Sequence, residues 1–215
     1  MIAHDSSSLK DWVSTGTTHT WAHTCTGNNM LLVLCGYEDG GPTLSSATYN
    51  GVAMDSMSIL QYDGVIDGYS SIAALFIGTG DGSSHNIVAT CSSPCNGAFV
   101  GSSYTGVKQS GLPDCTSGTF GGRASGGGVD TISVTTNSDG CWAIMSHRRI
   151  EDVVTGITLR QGTGLSFGCW DSNGPITPAG TITATFTSTA RSGAAVMMAF
   201  APVAPSVNGN MLACF

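Results

Sequence analysis

The sequence predicts an all-β protein, and three observations support this fold class. Short runs of apolar and β-branched residues recur along the chain, each bounded by Gly, Pro, Asn or Asp. The 215 residues include 30 glycines, and only 10% of the residues are charged. Hydroxyl and β-branched side chains tolerate extended backbone, while Gly supplies the dihedral angles of tight turns. Helical periodicity is almost absent.

The predicted strands follow one another every 8–15 residues or so with a turn signal between them, which is typical of a sandwich or barrel. They are Thr18–Cys25, Met30–Tyr37, Ser45–Tyr49, Met57–Tyr62, Ser70–Ile77, Asn86–Cys91, Ala98–Tyr104, Thr131–Thr136, Cys141–His147, Gly156–Arg160, Leu165–Trp170, Thr181–Thr187 and Ala194–Ala201. In "TITATFTS", Ile182, Ala184 and Phe186 alternate with threonines, so one face of this strand should be buried. The run "AAVMMAF" predicts a strand buried on both faces.

No shift in composition marks a domain boundary, so we predict one domain over residues 17–203 with arms at 1–16 and 204–215. The C-terminal arm ends in the apolar "MLACF", in which Met211, Leu212 and Phe215 need a partner surface. The arm either folds back on its own sandwich or adds to the sheet of a neighbouring subunit.

The charge pattern limits the partners of the protein. With a net charge of −7 and only seven Lys and Arg residues, nucleic-acid binding by phosphate neutralisation is not expected. No apolar run is long enough for a transmembrane helix, so membrane insertion is not expected. The N-terminus lacks the basic-then-apolar order of a secretory signal. A surface this poor in charge suits packed assemblies, and the expected partner is the protein itself.

The eight cysteines indicate an oxidising final environment, and hence an extracellular location. "CSSPC" has a spacer of three residues, which permits a small disulfide loop and differs from the CxxC of redox and zinc sites. We predict neither a metal nor a cofactor. The disulfide candidates are Cys91, Cys95, Cys25, Cys35, Cys141 and Cys169.

The stretch "TTHTWAHTCTGNNMLLVLCGYED" raises the question of a metal or catalytic site. In a strand, His19, Trp21, His23 and Cys25 share one face. The two histidines would lie about 13 Å apart along the backbone, which is too far for a shared tetrahedral metal. We interpret the stretch as a hairpin-like pair of strands, with "TGNN" as the turn.

Other motifs are weak, and we predict no catalytic residue. "GLSFG" matches the GxSxG of hydrolases at Ser166, but no helix follows it as that motif requires. Asp-Gly pairs such as those at Asp81 and Asp139 are explained by turn chemistry, although converging loops could trap Ca²⁺. Exposed aromatics could form a sugar-binding platform, although most aromatics should lie in the core or at contacts. The aromatics considered for this platform are Trp12, Tyr62, Tyr69 and Trp170.

The order of motifs resembles a family of jelly-roll-like β-sandwich proteins from environmental bacterial and phage genomes. The resemblance lies in "HTWAHTCTGNNMLLVLCGYED", "LSSATYNGVAMDSM", "SSYTGVKQSG" and "TITATFTSTARSGAAVMMAFAPV", within residues 17–203. It implies structural pieces of extracellular appendages or virion surfaces, without a catalytic centre. The cysteine richness and the apolar C-terminal end of this chain depart from the pattern.

The expected function is therefore that of a non-enzymatic structural subunit. It would self-assemble into an extracellular, pilus-like helical filament or a phage virion surface by edge-strand or terminal-arm exchange, with Met211, Leu212 and Phe215 filling a groove of the neighbour. The alternative is a carbohydrate-binding β-sandwich module with surface glycans as partners.

Overall fold

A computed structural model describes residues 1–39, 42–55, 61–62, 68–111, 113–116, 118–121, 128–148, 154–162, 167–188 and 194–204. All regular secondary structure in these ranges is β, which confirms the predicted fold class. The strands are β1 Ala3–Asp39, β2 Leu44–Tyr49, β3 Val52–Ala53, β4 Gln61–Tyr62, β5 Gly68–Thr105, β6 Cys115–Thr116, β7 Gly118–Gly121, β8 Gly128–Thr136, β9 Trp142–Arg148, β10 Val154–Thr155, β11 Thr158–Gly162, β12 Phe167–Asp171, β13 Thr181–Ser188 and β14 Ala194–Phe200. The jelly-roll connectivity remains a prediction.

Two long bent strands, β1 and β5, run antiparallel and form most of the first sheet, in the order β1-β5-β2-β3 with β4 also on β5. Within β1, residues 31–39 pair on one side with residues 68–76 of β5 and on the other with residues 96–104. The earlier part of β1, residues 18–28, pairs with residues 79–90. Because each long strand bends, its different parts lie in two layers of the fold.

The segment "TGNN" bends β1 and does not close a hairpin, so that prediction is wrong. The two flanking stretches both pair with β5 instead of with each other. Gly27 (φ 117°) and Asn29 (φ 51°) take the left-handed conformation at the bend. A side chain at position 27 would also lie 2.9 Å from the Thr105 methyl group, so Gly meets both requirements.

Two further antiparallel sheets have the orders β10-β13-β8-β6 and β11-β12-β9-β14-β7. Three buried clusters lie between the layers. The central core contains Leu31, Val33, Tyr37, Val100, Tyr104, Trp142, Phe167, Val196 and Phe200 among others. The β2 core contains Trp21, Met30, Leu32, Leu34, Ala47, Tyr49, Ile87 and Phe99 among others. The β13 core contains Ile132, Val134, Met145, Trp170, Ala184, Phe186 and Met197 among others.

The alternation of side chains explains how these cores share strands. In β1, Leu31 and Val33 enter the central core while Leu32 and Leu34 enter the β2 core. In β14, Val196 enters the central core and the neighbouring Met197 enters the β13 core. Every residue of β14 is buried, which confirms the prediction of a strand with two covered faces.

The N-terminal residues, predicted as an arm, contain a strand of the first sheet. Residues 3–13 pair with residues 97–105 of β5, and Ile2 is buried in the central core. Serine hydroxyls connect the two strands, since Ser7 Oγ lies 2.8 Å from Ser102 Oγ. Residues 205–215, including Met211, Leu212 and Phe215, lie outside the described ranges.

Of the disulfide candidates, Cys91 and Cys95 are bonded to each other, as the "CSSPC" spacing predicted. The remaining candidates, Cys25, Cys35, Cys141 and Cys169, are buried free thiols in this structure. Cys25 lies in the β2 core and Cys141 in the β13 core, so neither shares a core with another of these four cysteines. Cys35 and Cys169 meet in the central core as hydrogen-bonded thiols.

A buried ion pair connects β11 and β12. Arg160 Nε donates to Asp171 Oδ2 at 2.6 Å, and the Asp171 side chain is fully buried. The backbone N–H of Asn173 donates to Asp171 Oδ1 at 2.8 Å, while Arg160 Nη2 donates to Asn173 Oδ1 at 2.7 Å. The guanidinium also lies 5.8 Å from the ring centroid of Trp142. Both charges therefore have well-placed partners.

Replacing Arg160 with Ala should lower the free energy of unfolding by about 3–5 kcal/mol, because it leaves the Asp171 carboxylate buried without a counter-charge. Chemical denaturation measures this change. Lys108→Ala, which removes an exposed cation, should change stability by less than about 0.5 kcal/mol. In Arg160→Ala/Asp171→Asn the second substitution should restore part of the loss. Equal effects of Arg160→Ala and Lys108→Ala would contradict the assigned role of the pair.

Glu38 is an unexpected buried carboxyl group near the end of β1, fully inaccessible to solvent. Ser71 Oγ donates to its Oε1 at 2.9 Å, while Oε2 has no hydrogen-bond partner among the described residues. Burial raises the pKa of Glu38 to about 8, although the hydrogen bond from Ser71 acts in the opposite direction. Near neutral pH the folded protein therefore holds this side chain mainly as the neutral acid.

We expect Glu38→Gln to stabilise the protein increasingly as pH rises from about 5 to 8. The unfolded chain ionises Glu38 above its ordinary pKa of 4.5, whereas the folded chain keeps the proton until the pKa of about 8. Folding thus loses free energy as pH rises through this window, by roughly 1 kcal/mol per pH unit, and a neutral amide removes that loss.

The measurement for Glu38 is the difference in unfolding free energy between variant and wild type at several pH values, since subtraction cancels the contributions of histidines. Asp55→Asn, which makes the same carboxyl-to-amide change at an exposed position, is the matched control. A pH-independent difference for Glu38→Gln would refute the buried-acid assignment.

Candidate functional site

An apolar groove lies where the described chain ends. Its volume is about 550 Å³, and its lining includes Met1, Pro175, Pro202 and Val203. Met1 is 90% exposed and Val203 is 37% exposed. These are two of the four large apolar side chains that the described residues expose, so this end of the molecule concentrates uncovered apolar surface.

Backbone hydrogen bonds fix the wall of the groove. Val203 N donates to Gly106 O and Lys108 N donates to Ala201 O, each at 2.9 Å. These two bonds hold the chain against residues 106–108 as far as Val203. The chain continues from this wall into residues 205–215, which carry the predicted assembly residues Met211, Leu212 and Phe215.

The other two exposed apolar side chains lie on strands at sheet edges. Val52 belongs to β3, which pairs with β2, and Leu159 belongs to β11, which pairs with β12. Within the described ranges neither β3 nor β11 has a second strand partner. Such edges offer unpaired backbone groups to another strand.

A second cavity, a cleft of about 320 Å³, opens between β1, β2 and β5. Its polar lining includes His85, whose Nε2 lies 2.8 Å from Asp81 Oδ2. The Tyr49 ring packs edge-on against His85 with centroids 5.7 Å apart. Cys25 also lines the cleft, and burial raises the pKa of its thiol. A nucleophilic cysteine needs a lowered pKa, so this cleft contains no activated thiolate.

A buried cluster of His19, Cys91 and Cys95 is the third candidate. Its three ligand atoms lie within 4.8 Å of one another, and His19 Nε2 lies 3.3 Å from Cys95 Sγ. The side chains of residues 19, 21, 23 and 25 share one face, as predicted, and this face is buried. His19 and His23 do not meet, because His23 Nδ1 lies 2.8 Å from Ser8 Oγ instead.

The cluster joins residues that local sequence patterns do not connect. His19 on β1 pairs with Ala89, two residues before Cys91 on β5, and Gly16 pairs with Cys95. His19 and Cys95 are 76 residues apart in the chain, so sequence reasoning missed their contact. To predict this contact, one would need to know the register in which β1 pairs with β5.

Burial favours the neutral form of both imidazoles on this face. Burial lowers the pKa of His19, with the positive charge of Lys10 acting in the same direction. Burial also lowers the pKa of His23 to about 4, against a smaller effect of Asp5. A neutral imidazole offers a nitrogen lone pair for a metal ion.

The predicted aromatic platform is not available at Trp170, which is 7% exposed and packs in the β13 core. Its Nε1 donates to His147 Nδ1 at 3.2 Å. The side chains of Trp12, Tyr62 and Tyr69 lie outside what the structure describes, as does Ser166 of the GxSxG match. Trp170 is thus a core residue, as most aromatics were expected to be.

The described residues contain no helix that is long and apolar enough to cross a membrane. No family model matches this chain, and no match was found among curated proteins or among solved structures.

Proposed function

We propose that the protein is a non-enzymatic structural subunit that assembles with copies of itself into an extracellular filament or virion surface. The observation that carries this proposal is the apolar groove beside Val203, together with the apolar segment that follows it in the sequence. The occupant of the groove is the C-terminal segment of a second copy, with Met211, Leu212 and Phe215 as its anchoring side chains.

The dimensions of groove and segment suit each other. Pockets that hold drug-sized groups have volumes of about 300–1,000 Å³, and the groove has about 550 Å³. Seven peptide units separate Ala204 from Met211. Fully extended, they span up to about 25 Å, so Met211 can reach a surface well away from Ala204.

The composition of the surface supports close packing between copies. With a charged fraction of 10%, few charges need to be desolvated when two subunits meet. The edge strand β11, with Leu159 exposed, provides a second surface on which a neighbour could add a strand. Interfaces built from one repeated contact that does not close on itself generate filaments.

Deleting residues 205–215 should abolish assembly and leave a folded monomer, because every described strand lies before residue 205. The measurement is electron microscopy and light scattering of the purified protein at several concentrations, without reductant. Val203→Asp, which places a charge in the groove, should have the same effect in the full-length chain. Ser83→Asp is the matched control, since it charges an exposed site outside the groove and outside the edge strands β3 and β11.

Two outcomes would refute this mechanism. Full-length protein that stays monomeric at all concentrations would exclude self-assembly as its function under these conditions. Unchanged polymers after both the deletion and Val203→Asp would show that assembly uses a surface other than the groove. Circular dichroism of each variant separates loss of assembly from loss of folding.

A further inference from the structure

The His19–Cys91–Cys95 cluster has the composition of a soft-metal site. It contains two sulfur atoms and one imidazole nitrogen, and thiolate sulfur selects soft ions such as Cu(I). All three side chains are buried, with exposed fractions of 4% for His19, 4% for Cys91 and 1% for Cys95. The three intervening residues, 92–94, are exposed, so the spacer lies on the surface while both sulfur atoms point inward.

The imidazole is held in a fixed orientation by its surroundings. His19 Nε2 faces Cys95 Sγ, while the ring forms a hydrogen bond with the backbone of Gly16. A metal-binding histidine ordinarily uses its second ring nitrogen for such a bond, which fixes the tautomer. A β-carbon at position 16 would lie 3.1 Å from His19 Cε1, so Gly16 leaves room for the ring. Phe99 stacks on the other side, with centroids 5.4 Å apart.

We propose that reduction of the Cys91–Cys95 disulfide creates a buried three-coordinate Cu(I) site formed by Cys91, Cys95 and His19. A phosphine reductant supplies two electrons and becomes the phosphine oxide, while water supplies the oxide's oxygen and the two protons that convert the S–S bond into two thiols. Cu(I) then binds both sulfur atoms and the histidine nitrogen, and the two thiol protons leave to solvent. The disulfide and the metal complex exclude each other, because both use the same two sulfur atoms.

Three-coordinate Cu(I) fits this cluster better than Zn²⁺. Structural zinc sites are tetrahedral with four ligands, and the described residues bring only these three metal-binding side chains together here. The burial of all three leaves little access for water as a fourth ligand. The positive charge of Lys10 acts on His19 and would offset the negative charge of a complex with two thiolates.

The test uses full-length protein that is reduced with a water-soluble phosphine, freed from it without oxygen, and titrated against the Cu(I)–bicinchoninate complex. Reduced wild type should withdraw one equivalent of Cu(I), and the disulfide form should not compete for it. His19→Gln should weaken binding at least about tenfold, and Cys95→Ser should remove the site. The matched controls Cys141→Ser and His85→Gln, at a cysteine and a histidine outside the cluster, should bind like wild type.

X-ray absorption of the reduced, copper-loaded wild type gives a test that needs no variant. The expected first shell contains two sulfur atoms and one nitrogen atom. A shell without nitrogen would overturn the proposal, and so would His19→Gln with wild-type affinity in a protein whose circular dichroism is unchanged. Equal competition by the disulfide form would also overturn it, since Cys91 and Cys95 then could not be the ligands.

Discussion

The two-sided burial of residues 30–35 in β1 is the constraint on which the rest of the fold depends. Consecutive side chains such as Met30, Leu31 and Leu32 all have essentially no exposed surface, so both faces of the strand must be covered. The sheet that contains β9, β12 and β14 covers one face, and the bent parts of β1 and β5 with β2 cover the other. Because β14 is buried in the same way, a further layer around β13 becomes necessary. Truncating any one of these side chains to Ala would lower the free energy of unfolding by about 2–5 kcal/mol. It would leave a cavity between two layers of the fold.

Local patterns in the sequence predicted the strands well, because alternation and apolar runs depend on neighbouring residues. The run Ala194–Phe200 and the alternation around Phe186 both appear in the structure as predicted. The path between strands was harder to predict. "TGNN" has the composition of a turn, and whether it bends a strand or reverses it depends on where β5 lies. The N-terminal strand was missed because its serines pair with serines on β5, which gives no apolar signal.

The candidate sites likewise divide into features that neighbouring residues predict and features that depend on the pairing of distant strands. The "CSSPC" spacing predicted its disulfide, since both cysteines lie within five residues. The approach of His19 to Cys95 depends on strand register over 76 residues, and no local pattern encodes it. Glu38 stands in an acid–Gly segment typical of a turn, yet the register places it in a strand opposite Tyr69, and its buried side chain accepts a hydrogen bond from Ser71. Each of these departures brings a polar group into an apolar core, where its chemistry differs from that on a surface.

The pairing of residues 3–13 with residues 97–105 also has a consequence for the biosynthesis of the protein. Residues 3–13 cannot pair until residues 97–105 have also been synthesised, about 84–102 positions later in the chain. Closing so long a loop before any contact is gained makes folding slow, in the range of milliseconds to seconds typical of non-local β topologies. Residues 3–13 therefore leave the ribosome before their strand partner does. A chain that stays unfolded for this long remains available to chaperones and to any machinery that moves unfolded polypeptides.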